Sequence, residues 1–222
     1  MVGRFMNAPP LRALAEESTS ERRRIILDAA ERSFARAGFH RTTMQDVAAE
    51  AGMSPGNLYR YFTSKDALVA GLCERDRAGL AKEFSDMREA GGDFLAAFRE
   101  LGCRHFEDAA RGKAKLCLEI WAEATRNPAI AALQTDFDRS FEEQLVMAFE
   151  AAKDHGSIDP DIDMRAVASV IGKLGDGLFV RRAVASDFDP EREIAEVFAV
   201  VAALLKGAVK FPKSTPKPED KS

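Results

Sequence analysis

Apolar residues recur along this chain at intervals of three and four, and the few Gly and Pro residues fall where such stretches end. That spacing predicts helices almost throughout and no strand, so the expected fold class is all-α. The first helix is expected over 21–37, with Ile26, Ala29, Ala30, Ser33, Phe34 and Ala37 on one face and Gly38 ending it. Two short helices are expected next, then longer ones over 64–87, 92–111, 114–126, 128–154, 163–185 and 190–209, with loops after Gly91, Asn127, His155 and Ser186. Residues 1–20 and 211–222 are polar, Pro-containing and aperiodic, the pattern of a mobile arm and a mobile tail.

The segment TTMQDVAAEAGMSPGNLYRYF carries the most information. Thr43 followed by Asp46 has capping-box spacing, so a short helix starts at Met44 with Val47, Ala48 and Ala51 turned inward. Gly52 permits a turn. Ser54 then caps a second helix, Pro55 suits its first helical position, and Met53 can staple onto Leu58. Leu58 and Phe62 share the buried face, which leaves Pro55, Gly56, Asn57, Tyr59 and Arg60 outward or near the rim. That outward set suits the DNA major groove. Small residues at the helix start let the backbone approach base edges, Asn57 can both donate and accept, and Tyr59 offers an apolar ring with a hydroxyl. Arg60 and Lys65 supply charge for phosphates.

Charge supports this mildly. Residues 1–68 carry ten Lys and Arg against eight Asp and Glu, and the rest carries 22 against 28, so a +2 segment precedes a −6 remainder. An acidic remainder discourages non-specific wrapping of DNA.

From about Arg24 to Leu72, and above all in GFHRTTMQDVAAEAGMSPGNLYRYFTSKDALVAGL, the chain resembles the DNA-binding domain of the tetracycline-repressor (TetR) family. The resemblance implies that Thr42 or Thr43, Tyr59, Tyr61 and Lys65 hold phosphates while Pro55, Gly56, Asn57 and Tyr59 approach bases. Ser54 and Arg60 complete the candidate DNA-binding set. Gly56 has no side chain, so Asn57 is the expected hydrogen-bonding base reader. The expected architecture is a three-helix helix-turn-helix domain over 21–66, followed by a helical ligand-binding and dimerisation domain over 67–210.

In that second domain the resemblance is looser. The family leaves a cavity there for an inducer, and Phe98, His105, Cys117, Trp121, Phe137, Phe141 and Leu174 are its candidate lining, with Glu119, Glu123, Arg104 or Lys173 as polar anchors. The aromatic share points to an apolar or amphipathic ligand. The last two helices carry more apolar residues than one hairpin needs, so a homodimer interface is expected to involve Leu174, Leu178, Arg181, Phe198, Val201 and Leu205. Two recognition helices about 34–36 Å apart would then reach successive major-groove faces of a palindromic operator in double-stranded DNA.

Other classes fit poorly. No apolar run approaches the roughly 20 residues that cross a bilayer, and the N-terminal stretch lacks a signal-peptide core, so a cytoplasmic protein without membrane partners is expected. Cys73, Cys103 and Cys117 show no metal-ligand spacing and are read as thiols. Neither a cofactor nor a metal is expected. His40, His105 and His155 are scattered, and no phosphate loop or nucleophile elbow occurs, so no catalytic residue is assigned. The expected function is a ligand-released repressor. The alternatives are a constitutive DNA-binding protein without inducer and, remotely, a small-molecule enzyme.

Overall fold

In the computed structural model the described residues are 11–106, 111–153 and 158–211, with side chains described from Thr19 onward. Among them every regular element is an α-helix: α1 (Leu11–Ala37), α2 (Met44–Glu50), α3 (Pro55–Tyr59), α4 (Lys65–Ala90), α5 (Phe94–His105), α6 (Arg111–Ala124), α7 (Pro128–Lys153), α8 (Met164–Val184) and α9 (Pro190–Leu205). The arms before Leu11 and after Phe211, and the loop expected after His155, lie outside the described residues.

Two boundaries differ most from expectation, and ends of α4, α6 and α9 differ by two to four residues. Helix α1 starts at Leu11, ten positions before Glu21, because LRALAEE just after Pro9-Pro10 is built of good helix formers. Helix α5 stops at His105, where the Phe106 amide bonds back to the Gly102 and Cys103 carbonyls. Elsewhere the chain sets its own starts. Asp93, Asp163 and Asp189 each accept a backbone N–H in the first turn of α5, α8 and α9, and Pro190 follows Asp189 in the position where its missing N–H costs nothing.

Packing divides the chain into two compact units. One takes in the chain up to Arg75 together with Lys115–Leu133; the other takes in Asp76–Ala114 and the chain from Gln134. The division cuts through α4, α6 and α7, so it does not follow chain order. In the first unit Ile26, Phe34, Val47, Leu58, Leu68 and Leu72 are sealed from water, and Leu116, Ile120 and Ile130 join them. Each such side chain contributes about 1.5–3 kcal/mol by leaving water. The second unit is built around phenylalanines: Phe94 stacks on Phe98, and Phe84, Phe149, Leu145, Val201 and Leu205 close the core around them. There α9 packs against α5 and α8.

Candidate nucleic-acid interface

The α2–turn–α3 element rests on local hydrogen bonds that its own sequence supplies. The Thr43 side chain accepts from the Asp46 amide, while the Asp46 carboxylate accepts from both the amide and the hydroxyl of Thr43. Those two donors hold the Asp46 carboxyl below the ordinary carboxylate range. Gly52 takes φ = 66°, a left-handed conformation that favours glycine, and the Met53 amide closes the turn on the Ala48 carbonyl at 2.9 Å. Ser54 then caps α3 by accepting from the Asn57 amide, with Pro55 at the first helical position.

The buried face of α3 is Leu58, with Phe62 just beyond, at 0% and 2% exposure. The opposite side presents Ser54, Pro55, Gly56, Tyr59 and Arg60 to solvent, with Asn57 half-buried beside them. Tyr59 is 45% exposed, unusual for a large ring. Space above Gly56 is open: a Cβ there would meet nothing within 4 Å. Tyr61 is half-buried against the core. Thr42 is the one candidate turned fully inward, at 1% exposure, with its hydroxyl donating to the Gly38 carbonyl at 2.8 Å and the Ser33 carbonyl at 3.2 Å. Of the two adjacent threonines, therefore, only Thr43 faces solvent.

Lys65, at the start of α4, has a local task. Its Nζ lies over the Phe39 ring, 4.4 Å from the centroid, and donates to the Phe39 carbonyl at 2.7 Å. From α6, the Glu119 carboxylate accepts from the Phe39 amide at 3.1 Å. Glu123 meets His40 at 3.0 Å, and Arg126 contacts both of them. Asn127 donates to Asp66 at 3.1 Å. The corner between α1 and α2 is thus gripped by residues some 80 positions away, which no local sequence signal marks.

Family models match most of this chain. One described as "Bacterial regulatory proteins, tetR family" covers residues 26–72, the unit that presents α3; another, "BetI-type transcriptional repressor, C-terminal", covers 103–206. The chain belongs to the TetR family of transcriptional regulators. Relatives agree. It is 29% identical over 153 residues to the Escherichia coli regulator UidR, spanning 69% of this chain and 77% of UidR. A Mycobacterium tuberculosis transcriptional repressor, Rv1474c, is 29% identical over 210 residues, spanning 89% of this chain and 97% of the relative. Among solved structures, Salmonella enterica GusR superposes with a TM-score of 0.70 at 28% identity, covering 83% of this chain and 95% of GusR. Relatives and fold alike are those of TetR-family regulators, not of enzymes.

The remaining candidate residues of this TetR-family chain fall in several places. Cys117 and Trp121 belong to the first unit; Phe98, His105, Phe137, Phe141 and Leu174 belong to the second. Phe98 is a core residue, stacked on Phe94 at 5.6 Å and tilted against Phe198 at 5.1 Å. Phe141 meets Phe84 edge-on, and Phe137 and Leu174 are half-buried. His105 lies edge-on to Phe179, and burial, reinforced by the charge of Lys113, lowers its imidazole to about 4. Among the described residues no group of His, Cys, Asp and Glu could hold a metal, and no helix is long and apolar enough to cross a membrane.

The dimer candidates lie mostly inward in the chain. Leu178, Val201 and Leu205 are sealed in the chain's own core, and Phe198 packs on Phe98 and beside Gly102, so these four side chains are engaged within the chain. Arg181 is exposed but paired with Glu193 of α9. The large exposed apolar side chains of α8 and α9 are Val180, Val184 and Val200, at 41%, 68% and 49%. Apolar count by itself does not say which face of these helices turns outward, because Val and Leu occur on more than one side of them.

Proposed function

We propose that this chain is a homodimeric repressor that grips a palindromic operator with two copies of α3 and lets go when a small molecule binds its second unit. The observation that carries the proposal is the composition of the solvent side of α3. Ser54, Pro55, Gly56, Asn57, Tyr59 and Arg60 form one accessible row over an anchored base of Leu58 and Phe62. Asn57 reads a base edge, Tyr59 spans sugar and base, and Thr43, Tyr61, Arg60 and Lys65 serve the phosphates.

The dimer reading draws on the last two helices. Along α8, Lys173, Asp176, Gly177, Val180, Arg181 and Val184 are exposed at helical spacing, and Ala195, Ala199, Val200 and Ala203 do the same on α9. Small and β-branched residues on both stripes allow close approach to a second copy, and the resulting two-fold pairing supplies the two reading heads that a palindrome demands.

Ligand binding is supported by neighbours of the same fold: SmeT is solved as a complex with triclosan, and a transcriptional regulator from Saccharomonospora viridis as a complex with choline. The second unit of this chain is rich in phenylalanine, which suits an apolar or amphipathic inducer. A hundredfold fall in operator affinity requires only about 2.7 kcal/mol of coupling between the two sites. The work place of such a repressor is the cytoplasm.

Selecting bound duplexes from a random pool tests the proposal directly. The expected product is a palindrome with half-sites about one helical turn apart. A non-palindromic product, or none, would remove the dimeric-reader reading. A metabolite screen for thermal stabilisation accompanied by operator release tests induction; a protein that no such compound releases is a constitutive binder.

A further inference from the structure

Three consecutive arginines in α1 have three different surroundings. Arg22 is exposed. Arg24 is held along its own helix by Glu21 at 2.7 Å and Asp28 at 2.9 Å. Arg23 alone reaches across to the end of the recognition segment. Its guanidinium carbon lies over the Phe62 ring, 4.4 Å from the centroid, and its Nη1 donates to the Tyr61 carbonyl at 3.2 Å.

We propose that Arg23 is a positioning residue that fixes the rotation of α3, and with it the register of Asn57 and Tyr59 against the bases. The inference rests on the reading of α3 as the base-reading helix. Helix α3 has five residues, too few to fix its own orientation by buried surface. Two anchors hold it, Leu58 in the core and Phe62 one turn on. Phe62 is closely backed from α4, where a Cβ at Gly71 would come within 2.9 Å of its ring. Arg23 adds a lateral restraint at the same ring and a hydrogen bond to the preceding carbonyl. A planar guanidinium covers the ring with its face and donates from its edge; an ammonium can hold a ring and a carbonyl, as Lys65 does at Phe39, but as a compact point charge without that face, so Arg23→Lys keeps the charge and loses the covering plane. With Nη1 engaged and the side chain half-buried, Arg23 acts through Phe62 and Tyr61, not on a phosphate.

The test compares Arg23→Met and Arg23→Lys with the wild-type protein on the selected operator and on an unrelated duplex, each over a range of salt. A positioning role predicts that both variants lose about tenfold in operator affinity, which is about 1.4 kcal/mol. Repeated sequence selection should then show relaxed preference at the bases facing Asn57 and Tyr59, with the salt slope on the unrelated duplex unchanged. A phosphate contact predicts instead that Arg23→Lys keeps its operator affinity and that Arg23→Met lowers the slope by about two per dimer. Either of those results overturns the proposal, as does unchanged operator affinity in both variants. Should Arg23→Met fail to fold, Arg23→Lys decides by itself, because it keeps the charge. Wild-type protein that selects no sequence removes the base-reading role of α3 itself, a result distinct from any difference between variants.

Discussion

Gly56 separates the needs of the fold from those of the interface. It has no left-handed φ, and a methyl group there meets nothing within 4 Å, so Gly56→Ala leaves the melting temperature unchanged or slightly higher. On the proposed reading operator affinity should nevertheless fall, because the methyl would occupy the space into which base edges come. Equal operator affinity in the variant would show that α3 does not approach so closely. Asn57→Ala is expected to cost roughly 1–3 kcal/mol on the operator and relax preference at one base pair, read by competition among single-site operator variants. Lys65 is a mixed case, since its ammonium already serves the Phe39 carbonyl and ring. Lys65→Met should lower stability by about 1 kcal/mol, the scale of one such contact. It should also reduce the salt slope by about one per chain if a phosphate competes for the ammonium. A lower melting temperature with an intact slope would assign Lys65 to the α1–α2 corner alone. His105 gives a pH signature. Its imidazole titrates near 4 in the folded chain against 6.5 for the ordinary group, so the unfolded chain binds more protons between those values. Stability therefore falls as pH drops from 6.5 toward 4, by at most about 3 kcal/mol from this group. Asp138 and Asp176 act in the opposite sense, because desolvation pushes both carboxyls up. Urea titrations of wild type and His105→Phe at pH 7 and pH 5 would isolate the imidazole, whose loss should flatten the decline.

At the scale of elements, the two short helices depend on their ends more than on their lengths. Helix α2 has seven residues and α3 five, so neither is stable in isolation. The Thr43–Asp46 capping box and the Ser54 cap supply acceptors for first-turn amides that the helices themselves leave unpaired. Thr43→Ala should cost about 1 kcal/mol in chemical denaturation. Because Thr43 also faces the proposed phosphate side, Thr43→Ser provides the control: it restores the cap, and any operator defect that persists is not a folding effect. Helix α6 matters to the same corner by a longer route, through Glu119 at the Phe39 amide and Glu123 at His40.

For the whole molecule, the exposed valines of α8 and α9 are the surface on which the proposed dimer rests. Val184, 68% exposed, can accept a carboxylate without disturbing the subunit core, so Val184→Glu should leave helicity and melting behaviour of the subunit near wild type. Sedimentation should then show a lone subunit, and operator binding should collapse, since one reading head forfeits the contacts of the second half-site. A variant that remains dimeric would move the interface to another face.

The chain's own sequence determined the helices, their caps and the α2–turn–α3 element, because these follow from periodicity, Ser/Thr/Asp caps and a turn glycine acting over a few residues. It also marked Leu58 and Phe62 as inward and Gly56, Tyr59 and Arg60 as outward, for the same local reason. Tertiary structure alone decided that Thr42 turns inward, that Arg23 meets Phe62, and that Glu119 joins the unit bearing α3. It decided as well that Val201 and Leu205 serve their own core while Val184 stays outside. The physical reason is that burial depends on which faces meet, and helices with apolar residues on more than one side leave that choice to contacts between segments far apart along the chain.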